Sequence, residues 1–372
     1  MEISFIGDIM LGRFVQEKYY AQKYNLVSDD VLSVIQKSDY VIANLESPVT
    51  DCESTNSLAF AGSEDMLPQL EWVDCFSLAN NHINDFGEAG MEDTIANLEK
   101  HAINHNGLFE NHYAPHILEK DGCKIAVVMC TDMLNYEFDD ACKYKVLRAD
   151  ATEVNATIKK CAADGYFTIL FAHCGSLFSR FPNPDIRNLL HSAIDAGAGC
   201  VITAHSHCLG GEWQYKGVPI FWSLGDFLMD GGSYRRRRSC FLTLTIENSQ
   251  LKSWTITPTI TNMNLQVVYP SVKEKGKMLK SYQMVTNKMG VQRKDYRAFY
   301  KTQYKKEMMQ HSLSTLRFLY DTKGILGFMK MLKVRYYAVY RMIHRMIFDR
   351  SKSRYDTDGI DQKHLLNIDD IR

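Results

Sequence analysis

Asp8, Glu46, Asn81, His173, His205 and His207 each stand at the end of a short apolar run. The runs are Ile3–Asp8, Tyr40–Glu46, Phe76–His82, Phe167–His173 and Cys200–His207. Runs of this length bounded by turn residues read as buried strands. In open α/β sheets, ligands collect just beyond the carboxyl ends of strands. Carboxylate, amide and imidazole donors converging at one sheet edge suit two divalent cations, Mn, Fe or Zn. Two such ions side by side clamp a phosphate ester and generate hydroxide at neutral pH. On this reading Asp8 binds a first metal and Glu46 bridges both. Asn81, through its amide oxygen, joins His173 and His205 on the second, and His207 returns to the first. His82 follows Asn81 but points toward substrate, where a protonated imidazole donates to the leaving oxygen. A lone strand-end Asp or His is more often a cap or a satisfied surface group; the ordered set carries the reading.

The elements that must position these residues are legible from periodicity. Val27–Ser38, Gly90–His101, Ala151–Ala163 and Pro184–Gly197 have helical spacing, and the last sets Ile186, Leu189, Leu190 and Ile194 on one stripe. Strands alternating with helices argue for an α/β fold. Hairpins turning at Asp121-Gly122 and Lys216-Gly217, and an antiparallel pair over residues 239–261 broken at Asn248-Ser249, interrupt that alternation. Parallel units mixed with hairpins predict two packed sheets flanked by helices.

The 372 residues suggest one large domain plus an appendage. Net charge is only −1, yet residues 1–272 carry −14 and residues 273–354 carry +16. This asymmetry predicts a boundary near residue 270: a main domain over 1–270, a basic helical region over 271–354 and an acidic flexible tail over 355–372. Over 324–348, Met329, Leu332, Tyr336, Val339, Tyr340 and Ile343 share one helical face, with Lys330, Lys333, Arg341 and Arg345 opposite. Such a helix either packs on protein or lies on an anionic membrane surface. The ten cysteines form no CxxC pair and many sit in apolar runs, where a thiol acts as a small hydrophobe. The strand starting at residue 2 and the lack of a long uncharged apolar stretch predict a cytoplasmic protein, membrane-associated at most through its C-terminal helix. No nucleic acid is expected, because no recognition motif accompanies the positive charge. No GxSxG or P-loop supports other hydrolytic chemistry.

The motifs Gly7-Asp8-Ile9-Met10-Leu11-Gly12-Arg13, Asn44-Leu45-Glu46-Ser47-Pro48, Leu78-Ala79-Asn80-Asn81-His82-Ile83-Asn84-Asp85-Phe86-Gly87, His173-Cys174-Gly175, His205-Ser206-His207 and Ser223-Leu224-Gly225-Asp226-Phe227 together resemble the CapA family. That family is the capsule or poly-γ-glutamate synthesis branch of the calcineurin-like metallophosphoesterases. The resemblance covers roughly residues 1–230. It implies a four-layer α/β/β/α sandwich and a metal-dependent hydrolase acting on an anionic small-molecule or polymer substrate. Three departures stand out. Met10 occupies the place where calcineurin-like enzymes have a histidine, leaving the first metal one ligand short. Ser176-Leu177 follow His173-Cys174-Gly175 where the family commonly has an acidic residue. Asp226 replaces the asparagine of a Gly-Asn-Phe ending.

Smaller expectations attach to neighbouring residues. Arg13 either grips a substrate phosphate or carboxylate or forms a structural salt bridge. Asp85 either orients His82 or turns the loop before Gly87. The run Arg235–Arg238 is expected to be a solvated corner rather than a polyanion site. The competing functional reading is non-catalytic: a binding or assembly component of an envelope polymer machine, with structural metals.

Overall fold

In a computed structural model the described residues are 1–348 without 23, 55–58 and 292, and for 325–348 the backbone alone is described. The chain opens with β1 (Glu2–Ile9), α1 (Arg13–Gln22), α2 (Asp29–Ile35), β2 (Tyr40–Leu45), β3 (Cys75–Ser77), α3 (Gly87–Lys100) and β4 (Asn104–Asn106). β5 (Leu108–Phe109), β6 (His116–Lys120), β7 (Cys123–Thr131), β8 (Lys145–Val146), α4 (Ala151–Ala163), β9 (Phe167–His173), α5 (Pro184–Asp195) and β10 (Ala198–Ala204) follow. The remainder is β11 (Gly211–Tyr215), β12 (Val218–Trp222), β13 (Asp226–Leu228), β14 (Arg238–Glu247), β15 (Gln250–Thr261), β16 (Val267–Val268), α6 (Val272–Met289) and α7 (Tyr296–Phe348).

One sheet runs β16-β15-β14-β1-β2-β3-β4, with β13 also pairing β1; a second runs β11-β12-β10-β9-β7-β6. β1 to β4 are mutually parallel, as are β7, β9, β10 and β12. These central strands are buried on both faces, which is why their sequences are continuous apolar runs rather than alternating ones. Alternate residues nevertheless enter different layers. Ile3, Phe5 and Ile42 of the first sheet pack in one cluster with Ile125, Val127, Phe171 and Ile202 of the second. Phe5 and Phe171 meet edge to face at 5.6 Å between centroids; burying rings of this size stabilises by about 2–3 kcal/mol each. Ile6, Val41 and Phe76 turn the other way, onto Val15, Val31, Ile35, Met91 and Leu98 of α1 to α3. On the far face of the second sheet, Val128, Leu170 and Val201 pack with Val154, Ile158, Leu189, Leu190 and Ile194 of α4 and α5. Val285 and Met289 of α6 and Tyr300 of α7 join that same cluster. The molecule is a mixed α/β protein with helices on the outer faces of its sheets and further helices at the C-terminal end.

α4 falls on the residues its spacing predicts, and α5 ends at Asp195, before Gly197. Both hairpins and the β14–β15 pair turn at the expected dipeptides. The run Phe76–His82 differs: β3 stops at Ser77. Asn80 ends it, because its Oδ1 accepts the His82 N–H at 3.0 Å while its Nδ2 donates to the Leu45 carbonyl at 2.7 Å. This side-chain turn competes with the ladder. α1 was not apparent from spacing, since only Val15 of its ten residues is fully buried. α7 kinks at Gly324, whose φ of 67° is left-handed. The amphipathic reading of 324–348 rests on side chains outside the described residues, and the acidic tail 355–372 lies outside them altogether. No helix among the described residues is long and apolar enough to cross a membrane. The ten cysteines are free thiols.

Candidate metal centre

β1 carries Asp8 through an irregular stretch: its register against β2 shifts between Ile6 and Asp8, and against β13 between Asp8 and Ile9. Such bulges re-aim a side chain. Gly7 makes room for it, because a Cβ there would lie 2.2 Å from the Gly225 carbonyl oxygen. β13 can therefore run against β1 with Asp226 as the register partner of Asp8. Asn44 Nδ2 donates to Asp8 Oδ1 at 2.8 Å, and the His205 N–H donates to Asp8 Oδ2 at 3.1 Å.

The strand ends deliver the other donors to the same edge. Glu46 follows β2, His173 ends β9, and His205 and His207 follow β10. His205 and His207 have φ of 93° and 54°. Left-handed backbone is costly for non-glycine residues and clusters at functional sites. Here it turns both imidazoles inward. Two buried clusters result: Glu46 with His173 and His205, and Asp8 with His207 and Asp226, the donor atoms of each lying within 4.8 Å of one another. Asn81 Oδ1 lies 2.8 Å from His173 Nε2, and His205 Nδ1 lies 3.0 Å from that same nitrogen. Glu46 Oε1 is 3.5 Å from His207 Nε2, so this carboxylate adjoins both clusters.

The donor set fits divalent cations. Glu46 Oε1 and Oε2 and His205 Nε2 are buried without a hydrogen-bond partner among the described residues. Each such orphan costs about 1–3 kcal/mol unless something ligates it. Electrostatics point the same way. Burial first, then the neighbouring Asp226, pushes Asp8 up to about 7. Burial, Asp8 and Asp226 raise Glu46 well above the usual carboxylate range. Burial and adjoining imidazoles drive His173 well below normal, and burial with His207 brings His205 down to about 3. Burial also lowers His207, although Asp226 opposes it. A bound cation would restore the carboxylate charges that burial suppresses, and burial already favours the neutral form in which an imidazole ligates a metal.

His82 sits beside the clusters, Nε2 4.0 Å from Glu46 Oε1. Its Nδ1 is 2.7 Å from Asp85 Oδ2 and 3.0 Å from Asn135 Nδ2, and Phe60 packs on its ring at 3.9 Å. Asn135 also donates to Asp85 Oδ1 at 3.2 Å, so Asp85 and Asn135 together fix the imidazole. Arg13 lies at the rim, paired through both Nε and Nη2 with Asp230 and 4.6 Å above the Phe60 ring.

Asp226 was not anticipated as a ligand. Burial alone would raise its carboxyl, but His207 and Arg236 hold it below the normal range. His207 Nδ1 is 2.8 Å from Asp226 Oδ1. The only sequence signal was its replacement of the family's asparagine, and its carboxylate stands with Asp8 and His207 in the cluster that lacks the histidine Met10 replaces. Met10 takes no part: it is fully buried in the outer apolar layer, where its sulfur accepts the Gly12 N–H at 3.1 Å. Asn44, which bonds Asp8 and lies 3.2 Å from His173 Nδ1, was likewise missed.

The run Arg235–Arg238 is not a solvated corner. Arg235 pairs with Glu307, Arg236 with Asp226 at 3.1 Å, Arg237 with the Thr261 and Asn262 carbonyls, and Arg238 with Glu274 at 2.7 Å. The C-terminal helices supply acceptors that local sequence could not reveal. Arg180 also binds Glu307, at 2.8 Å, so one carboxylate on α7 ties together the loops following β9 and β13. Tyr300 bonds Ser176 at 2.9 Å, and His311 stacks on Phe178 at 3.8 Å.

Residues 2–231 match the family described as "Bacterial capsule synthesis protein PGA_cap". The PGA biosynthesis protein CapA of Bacillus subtilis is 28% identical over 271 residues, covering 69% of this chain and 71% of that protein. The capsule biosynthesis protein CapA of Bacillus anthracis is 26% identical over 267 residues, covering 65% of this chain; the chain spans 63% of that relative's length. Among solved structures, a hypothetical protein from Thermus thermophilus is similar at 15% identity and a TM-score of 0.44, covering 69% of this chain and 98% of that one. A Staphylococcus aureus protein provisionally described as a 5′-nucleotidase is similar at 12% identity and a TM-score of 0.45, covering 76% of this chain and 58% of that one.

Proposed function

The chain belongs to the PGA_cap family of bacterial capsule synthesis proteins, and from that membership and the donor geometry we propose that it is a metal-dependent hydrolase of a phosphoester or related anionic bond. Its architecture is then the four-layer sandwich of metallo-dependent phosphatases, and its biological setting is capsule, exopolysaccharide or poly-γ-glutamate production. The observation that carries the reading is the convergence of orphaned buried donors, Glu46 Oε1 and Oε2 and His205 Nε2, between two carboxylate–imidazole clusters.

Two divalent ions, Mn, Fe or Zn, would be held by Glu46, Asn81, His173 and His205 on one side and Asp8, His207 and Asp226 on the other, with Glu46 shared. When bound they supply Lewis acidity and the means to ionise water near neutral pH. The protein does the rest. Asn44 and the His205 N–H hold Asp8 in one orientation. His82, fixed by Asp85 and Asn135, delivers a proton to the leaving oxygen. Arg13 contributes positive charge at the rim while Asp230 keeps it in place. The substrate is an anionic small molecule or polymer. The basic helical segment 324–348 makes a peripheral contact with a membrane or protein partner.

Purified protein should carry near-stoichiometric Mn, Fe or Zn and cleave an aryl phosphate. Protein that is metal-free under native conditions and inactive after reconstitution with each of these metals would overturn the reading and leave an assembly role.

A further inference from the structure

Four consecutive arginines follow the last family motif, and three are anchored away from the metal centre. Arg235 is held by Glu307 and its carbonyl, Arg237 by two backbone carbonyls, and Arg238 by Glu274. Arg236 alone turns to the metal centre. Its stem passes over Gly231, where a Cβ would lie 2.7 Å from Arg236 Cβ. Its Nε donates to Asp226 Oδ2 at 3.1 Å, and Nη2 lies 2.8 Å from the Met229 sulfur. Among the described residues Nη1 has no protein partner, and the side chain keeps 17% exposure. The guanidinium is 5.8 Å from the Phe178 ring, which in turn is 6.2 Å from the His207 ring. Its charge acts on Asp8, Glu46 and His207 as well as on Asp226. An arginine fixed at one edge and open at another is built to receive an oxyanion, since a planar fork can hold two acceptors at once.

We propose that Arg236 is the residue that binds the substrate's oxyanion, gripping a phosphoryl or carboxylate oxygen through Nη1 while Nε stays on Asp226. This rests on the hydrolase reading above. Arg236 lies beyond residues 2–231, so it sets substrate class from outside the family-matched segment. Divalent ions together with Arg236 leave the centre net positive, which selects for an anion.

Calorimetric titration of full-length, metal-loaded protein with inorganic phosphate, and separately with glutamate, tests this. Metal content and melting temperature are measured on the same samples. Arg236→Gln should bind the oxyanion at least tenfold more weakly with its metals retained. Arg236→Lys keeps the charge without the fork and should weaken binding several-fold; it carries the test if the glutamine variant does not fold. Arg238→Gln should bind as wild type does. Weakening confined to phosphate assigns a phosphoryl group, and weakening confined to glutamate a carboxylate. Wild-type affinity in both Arg236 variants overturns the proposal, as does parallel loss of metal, which would make Arg236 only a support for Asp226. Metal-loaded wild type that binds neither probe defeats the hydrolase reading itself.

Discussion

Asp8 and Asp226 are register partners across the parallel pairing of β1 with β13, and both are fully buried. Two carboxylates side by side in a dry interior cannot both ionise without compensating charge. Asp226 has His207 and Arg236 to stabilise its anion, whereas Asp8 has an amide and a backbone N–H. Asp8 therefore bears the repulsion, and a cation between them relieves it.

Metal uptake should release protons in acid and fewer at higher pH. In metal-free protein burial and Asp226 push the Asp8 carboxyl up to about 7, so it holds its proton at pH 6, and burial with the neighbouring carboxylates raises Glu46 well above its ordinary range. Burial drives His173 well below its ordinary value and brings His205 down to about 3, so these two imidazoles add no protons to the release. Affinity should thus rise as pH increases through 7. Calorimetry in buffers of different ionisation enthalpy reads the proton count; equal release at pH 6 and pH 8 would contradict the assignment.

Gly7→Ala should separate β13 from β1. The new methyl meets a backbone oxygen, which cannot rotate away. We expect a loss of about 1–3 kcal/mol in urea unfolding and weaker binding at the Asp8–His207–Asp226 cluster than at its neighbour. Unchanged metal stoichiometry and affinity would show that β13 is not needed to build the site.

His82→Ala should retain its metals yet lose turnover of an aryl phosphate by about 10²–10⁴-fold, the usual contribution of a positioned acid. Asp85→Asn should cause a smaller loss, because Asn135 still contacts the ring. Metal loss in His82→Ala would instead make His82 a ligand.

Glu307 links α7 to Arg180 and Arg235, and replacing it with alanine leaves two guanidiniums short of an acceptor. Removing one partner of a buried pair costs about 3–5 kcal/mol. Burial works to raise the Glu307 carboxyl, but the two arginines outweigh it and hold it below its ordinary value. Its stabilisation is therefore complete above the unfolded carboxylate range and fades as pH falls through the lower folded value. The melting-temperature gap between wild type and Glu307→Ala should be wide at pH 7 and narrow near pH 3; a constant gap would argue against an ionic contribution.

Local signals made much of this readable. The donors stood out because β1, β9 and β10 are buried on both faces and so leave long apolar runs, which Asp8 interrupts near the end of β1 and which close on His173 and His205 in β9 and after β10. α4 was placed to the residue because its apolar stripe is regular and Asp150 caps it. Asp226 escaped because β13 has three residues, too few for any periodicity, and its role comes from a partner more than two hundred positions away. Arg236 escaped for a related reason. Four like charges in a row suggest solvent, and only the arrival of Glu307 and Glu274 from the C-terminal helices sorts one from the others.

That sorting bears on where the chain can be cut. A fragment ending at residue 270 would keep every candidate ligand, yet it would remove Val285, Met289 and Tyr300 from the cluster on the outer face of the second sheet and strand Arg180 and Arg235 without their counter-ion. The loops those arginines anchor also carry Phe178 and Arg236, so the damage would reach the chemistry from behind. An expression boundary chosen from homology alone would yield poorly soluble, weakly binding material; one placed beyond Asp321 preserves every clasp described here.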